Sequence, residues 1–187
     1  MSMESNAMSE QQRPLRRRSV QRLSQHVWGS GRSVWSGDIE GRSLTVDQVE
    51  VGERTAPERV ADVLGLPPTA TVCVRSRRFV LDDKPVQLST SYLPADVVSG
   101  SAITQEDTGP GGTYARLAEL GYRPVRFREE IRYRMPSSEE AERLALALGA
   151  PVIHICRTAL TEGGRAVEVN EMILDSASYV LEYEFDA

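Results

Sequence analysis

The sequence is poor in residues that usually carry chemistry: its 187 residues include two cysteines, two histidines, a single lysine (Lys84) and 6% aromatics. Cys73 and Cys156 each sit in an apolar run with no second cysteine or histidine at metal-ligand spacing, so they read as reduced core thiols and no metal is expected. His26 falls in an irregular stretch and His154 in an apolar strand, where a hydrogen-bonded histidine is a better reading than a catalyst. No Gly-x-Ser-x-Gly elbow, Walker loop, dinucleotide fingerprint or His-Glu-x-x-His occurs, so neither an enzyme nor a cofactor is called for. Apolar runs fall short of about 18 residues and no charged-then-apolar leader opens the chain, so the expected place is the cytoplasm.

What is present divides unevenly. The net charge is −5, but residues 1–32 carry six arginines against Glu4 and Glu10, a local +4 on a body of about −9. An acidic body with a short basic arm lacks the basic stripe of a self-sufficient nucleic-acid binder. Residues 1–19 are polar, without periodicity, and read as a linker tail. Ser5-Asn6-Ala7-Met8 within them looks like an expression-tag remnant followed by a start Met. Residues 20–187 form the expected domain, in which Trp28 and Trp35 pack on the body.

Leu44 to Val51 reads as a strand. Thr55 to Glu58 has a capping-box shape before a helix that ends at Gly65. Val72 to Leu81, an acidic turn and Val86 to Leu93 form a hairpin, and Thr113 to Leu120 a short helix. From Val125 to Met135 apolar and charged residues alternate, predicting a half-buried strand with Val125, Phe127, Ile131, Tyr133 and Met135 inward. Glu129 breaks that face. Ser137 and Glu140 form a second capping box, and Ala141, Leu144, Ala145 and Leu148 predict a helix running to Gly149. Val152 to Thr161, Ala166 to Leu174 and Tyr179 to Phe185 complete the strands.

An internal duplication follows. Leu64-Gly65-Leu66-Pro67 and the hairpin with Arg77 parallel Leu148-Gly149-Ala150-Pro151 and the hairpin with Arg157, with Gln87 matching Glu168 and Ser89 matching Asn170. The predicted fold class is α+β: an antiparallel sheet with a pseudo-two-fold repeat and flanking helices, enclosing a cleft between its halves.

Polar groups on these strands are the candidate ligand contacts. Arg75 and Arg77 share a strand face, where two guanidinium forks can hold a phosphate or carboxylate. Arg157 lies among apolar neighbours and needs an anionic partner: Glu129, Glu168 or a ligand. The run from Gly109 through Gly111, Gly112 and Thr113 leads into the helix that carries Tyr114, and such a turn can clamp an acidic group. Glu168, Asn170 and Ser89 can bind hydroxyls or an amine from the returning strands.

The run Val74-Arg75-Ser76-Arg77-Arg78-Phe79, then Pro85, Ser91-Tyr92-Leu93-Pro94, Gly112-Thr113-Tyr114-Ala115-Arg116-Leu117 and Gly121, with the closing stretch Ala166 to Leu174, resembles the effector-binding (UTRA) domain of HutC-type GntR-family transcriptional regulators, over roughly residues 40–187. The resemblance implies a chorismate lyase-like fold and a homodimer. It also implies a small-molecule effector, here expected to carry an anionic group, and DNA contact only through an N-terminal winged helix-turn-helix absent from this chain. It assigns ligand contact to Arg77, to Gly111, Gly112 and Thr113, and to Glu168. Phe79, Ser89 and Gly112 stand where aminosugar-phosphate sensors carry Arg, Glu and Ser, so the effector class is open. A small lyase-like enzyme using the same cleft, or a domain that only dimerises, are the alternative expectations.

Overall fold

The computed structural model describes residues 14–18, 22–31, 39 and 41–184. Its main sheet has six antiparallel strands: β2 (Leu44–Thr55), β3 (Thr71–Leu81), β4 (Lys84–Pro94), β5 (Arg126–Arg134), β6 (Val152–Leu160) and β7 (Ala166–Asp175), in the order β2-β3-β4-β7-β6-β5. A small parallel sheet pairs β1 (Leu15–Arg18) with β8 (Tyr179–Glu182). The helices are short: α1 (Gln25–Trp28), α2 (Glu58–Leu64), α3 (Ala95–Val98), α4 (Gly112–Glu119) and α5 (Ser138–Arg143). None of them is long and apolar enough to cross a membrane.

The strand order is a palindrome of the duplication. Pairing of β4 with β7 puts Thr90 opposite Glu171, and a two-fold axis through that pair exchanges β2 with β5, β3 with β6 and α2 with α5. Arg77 faces Ser89 in one half as Arg157 faces Asn170 in the other. The β-branched residues of the central strands favour this pleated surface, buried on both sides. On one face α2 and α5 cover Val72, Val169 and Cys156, and Leu88 and Ile173. On the other, α1, α3 and α4 pack Trp28, Val98, Tyr114 and Leu117 over Leu93, while β1 and β8 bring Leu15 and Tyr179 onto Phe79, Met172 and Leu174.

Several expectations are corrected here. The polar segment before residue 20 is not linker throughout: Leu15–Arg18 is a strand with Leu15 and Arg17 buried, because β8 supplies a pairing edge the local sequence does not announce. Thr55 is the last residue of β2 and caps nothing; Pro57 precedes α2, and its fixed φ suits that first turn. The capping box of α5 is present, with Ser137 and Glu140 each bonding the other's backbone N–H. That helix stops at Arg143, however, where Ala145 takes a left-handed φ of 49°. Leu146 N–H then returns to Ala141 O, as Leu66 N–H returns to Ala61 O after Gly65, a Schellman closure in both halves. The repeat therefore aligns Leu64-Gly65-Leu66 with Leu144-Ala145-Leu146, and Leu148, expected inside, is fully exposed. The apolar row of β5 is also outward: Ile131, Tyr133 (70% exposed) and Met135 lie open, because β5 is an edge strand and no helix reaches its far end. Trp28 is buried as expected; Trp35, Phe185 and the tag-like residues 5–8 lie outside the described residues.

Candidate ligand cleft

Alternation along the four inner strands brings Arg77 and Phe79, Gln87 and Ser89, Glu168, Asn170 and Met172, and Arg157 to one face, where they floor a cleft of about 320 Å³. Thr108 to Tyr114 roof it, and Arg22, Gly31 and Val46 complete the lining. Of the residues expected from sequence, Arg77, Ser89, Gly111, Gly112, Thr113, Tyr114, Arg157, Glu168 and Asn170 meet here.

The floor contains both satisfied and unsatisfied groups. Ser89 Oγ donates to Asn170 Oδ1 at 2.9 Å, joining equivalent positions of the two halves. Arg77 Nη2 donates to Ser91 Oγ at 3.1 Å and its guanidinium stands 5.9 Å from the Phe79 ring centre, but Nε has no partner. Burial lowers the Arg77 pKa, and the Glu168 charge opposes the shift. Gln87 and Glu168, 1% and 2% exposed, each hold one buried acceptor without a partner, Oε1 and Oε2 respectively. Unpaired buried polar atoms cost free energy, so this floor holds donor and acceptor capacity that the described residues leave unused.

The roof is positioned by backbone contacts. Gly111 has φ of 80°, and a Cβ there would meet Trp28 O at 2.5 Å and Ala115 Cβ at 2.6 Å, so the close pass over α1 requires glycine. Its N–H bonds Gly31 O at 3.1 Å. Gly112, by contrast, faces open space, and no side chain caps α4 behind it, which leaves the positive end of the helix over the cleft.

Two expected contacts are elsewhere. Arg75 does not line the cleft: it is buried under the preceding loop, where its guanidinium donates to the carbonyls of Ile103, Gln105 and Glu106, so it holds the approach to the roof. Glu129 is also outside, on a separate hollow with Leu23, Phe127 and Tyr183. It is the ion-pair partner of Arg157, whose Nε and Nη2 reach its Oε1 at 2.9 and 2.7 Å. Arg157 Nη1 donates to the Tyr114 hydroxyl at 3.4 Å. Burial, then the neighbouring Glu168 charge, raises the Tyr114 phenol pKa, keeping it a neutral hydroxyl between cation and anion. Gln87 and Met172 were not singled out as contacts; the signal for Gln87 was its match to Glu168 in the duplication. His26 is exposed and His154 lies on the opposite sheet face, so neither reaches the cleft.

Comparison with known proteins supplies the context. The family model described as the UTRA domain matches residues 40–179. An uncharacterised HTH-type transcriptional regulator of Streptomyces coelicolor is 33% identical over 180 residues, covering 92% of this chain and 67% of the relative. An HTH-type transcriptional regulator of Mycobacterium tuberculosis is 37% identical over 137 residues, covering 69% of this chain but 48% of the relative. The fold is similar to the crystal structure of PhnF from Mycobacterium smegmatis, with a TM-score of 0.76 at 22% identity over 93% of this chain and 72% of that one. It is also similar to the ligand-binding domain of a putative GntR-family transcriptional regulator from Bordetella bronchiseptica, with a TM-score of 0.68 at 24% identity over 79% and 91% of the two chains.

Proposed function

The chain belongs to the UTRA domain family, and on that premise we propose that it is the effector-sensing and dimerisation part of a cytoplasmic transcriptional regulator of the HutC-type GntR family. The effector is a small molecule with an anionic group, and DNA is contacted through a winged helix-turn-helix region rather than through the residues described above. The observation that carries this reading is the cleft floor: Arg77 Nε, Gln87 Oε1 and Glu168 Oε2 are all unpartnered beneath the uncapped start of α4. An anionic end fits the Arg77 and α4 side, and hydroxyl or amine donors fit Gln87 and Glu168. An open cleft of about 320 Å³ favours sensing over a domain that only dimerises. The named relatives are transcription regulators, which favours sensing over lyase chemistry.

Ligand binding at the roof changes regulator state only through differential affinity for two arrangements. For the dimer, the exposed apolar row of Ile131, Tyr133 and Met135 beside the free edge of β5 is the surface we assign to a second copy. A thermal-shift screen of sugar phosphates, carboxylic acids and amino-acid derivatives tests the cleft assignment: hits raise the melting temperature of the wild type and not that of Arg77→Ala.

A further inference from the structure

Buried charge outside the ligand-contacting set converges on one carboxylate. Arg17 of β1 is 0% exposed, and its Nη2 donates to Glu129 Oε1 at 2.9 Å. The same oxygen receives both bonds from Arg157, and Tyr183 donates to Oε2 at 3.1 Å. Two guanidinium groups thus share one carboxylate, and among the described residues no second one is within ion-pair distance of either. Arg17 gains little elsewhere: among the described residues its other hydrogen bonds are 3.6 Å contacts to the weak acceptor Sδ of Met172, and its Nε has no hydrogen-bond partner. Burial, then the positive charge of Arg157, lowers the Arg17 pKa, with Glu129 opposing. A buried cation needs a counter-ion, and here two cations compete for one.

The competitors belong to different parts of the molecule. Arg157 lines the cleft and bonds Tyr114 in the first turn of α4, directly behind the glycine roof. Arg17 belongs to β1, which is held by pairing with β8, by buried Leu15, by the surface pairs of Arg16 and Arg18 with Glu182, and by this ion pair, its one buried charge contact among the described residues. We propose that Glu129 is a shared counter-ion through which the cleft sets the docking of β1: whatever relaxes the demand of Arg157 for negative charge tightens Arg17 onto Glu129, and β1 with it. An anion entering beside Arg157 has this effect by supplying the missing negative charge, so the cleft reading proposed above provides the signal. Linkage makes the coupling reciprocal: a docked β1 favours an anion in the cleft.

The test needs no ligand. Amide hydrogen exchange is followed at Leu15–Arg18 in the whole chain. Arg157→Met and Arg157→Gln remove the competing charge, and β1 exchange slows roughly tenfold in whichever of the two folds. Arg157→Lys keeps the charge and leaves β1 within about twofold of wild type, on the same scale of coupling. If Arg157 merely supports the fold, the neutral variants speed β1 exchange along with the rest of the sheet. Unchanged or faster β1 exchange in the neutral variants overturns the proposal. That outcome leaves the cleft assignment standing, because the latter depends on Arg77.

Discussion

A carboxylate on the same face of β5 as the apolar row survives burial because Arg157, Arg17 and Tyr183 converge on it. Burial alone would raise the Glu129 pKa, but the charges and hydrogen bonds of Arg157 and Arg17 outweigh it and hold the group down at about 2, against an ordinary 4.5. A depressed folded-state pKa means that the stabilisation is complete above pH 4.5 and is lost as pH falls towards 2. Its size is on the order of 3 kcal/mol. Urea unfolding between pH 6 and pH 2.5 checks this: wild type loses stability steeply below pH 4.5. Glu129→Gln, already weaker by about 3 kcal/mol at neutral pH, falls less steeply. Glu129 was legible in the sequence as the odd carboxylate of its strand, with Arg157 among its possible partners. Arg17 was not, because its burial depends on a contact 112 residues away and its immediate neighbours, Arg16 and Arg18, are both cationic.

At the scale of elements, strands and hairpins were legible because period-2 alternation and turn residues are local signals. The end of α5 was not. Periodicity carried it to Leu148, whereas the helix ends at Arg143 and Ala145 takes left-handed geometry just after it, in the place Gly65 holds after α2. An alanine there bears a backbone cost that glycine avoids. Ala145→Gly is therefore expected to stabilise the protein by about 1 kcal/mol, despite adding a glycine, and chemical denaturation measures it. The apolar row of β5 shows a different limit: alternation says that one face is apolar but not whether anything in the same chain covers it. For the interface assigned to that row, Tyr133→Glu is expected to shift the sedimentation equilibrium towards monomer by at least about tenfold in dissociation constant, with melting temperature little changed.

Over the whole molecule, the duplicated hairpins give the fold its axis and the cleft its paired polar floor. Arg77 and Arg157 are equivalents that the two halves use differently: Arg157 is bound to Glu129, a carboxylate it shares with Arg17, while Arg77 lines the cleft with its buried Nε unpartnered. Nine of eleven candidate contacts line that cleft, five because strand parity fixed their face and four because they form the glycine turn and first turn of α4; both exceptions, Arg75 and Glu129, were diverted by partners distant in sequence. Arg75 shares the parity of Arg77 but meets the carbonyls of Ile103, Gln105 and Glu106.

The central claim is that this cleft holds an anionic effector through Arg77. Isothermal titration of the strongest thermal-shift hit into wild type and Arg77→Ala tests it most directly. Loss of a charge-assisted contact predicts affinity weaker by about 10-fold to 150-fold in the variant. Equal affinity in the two proteins would contradict the account.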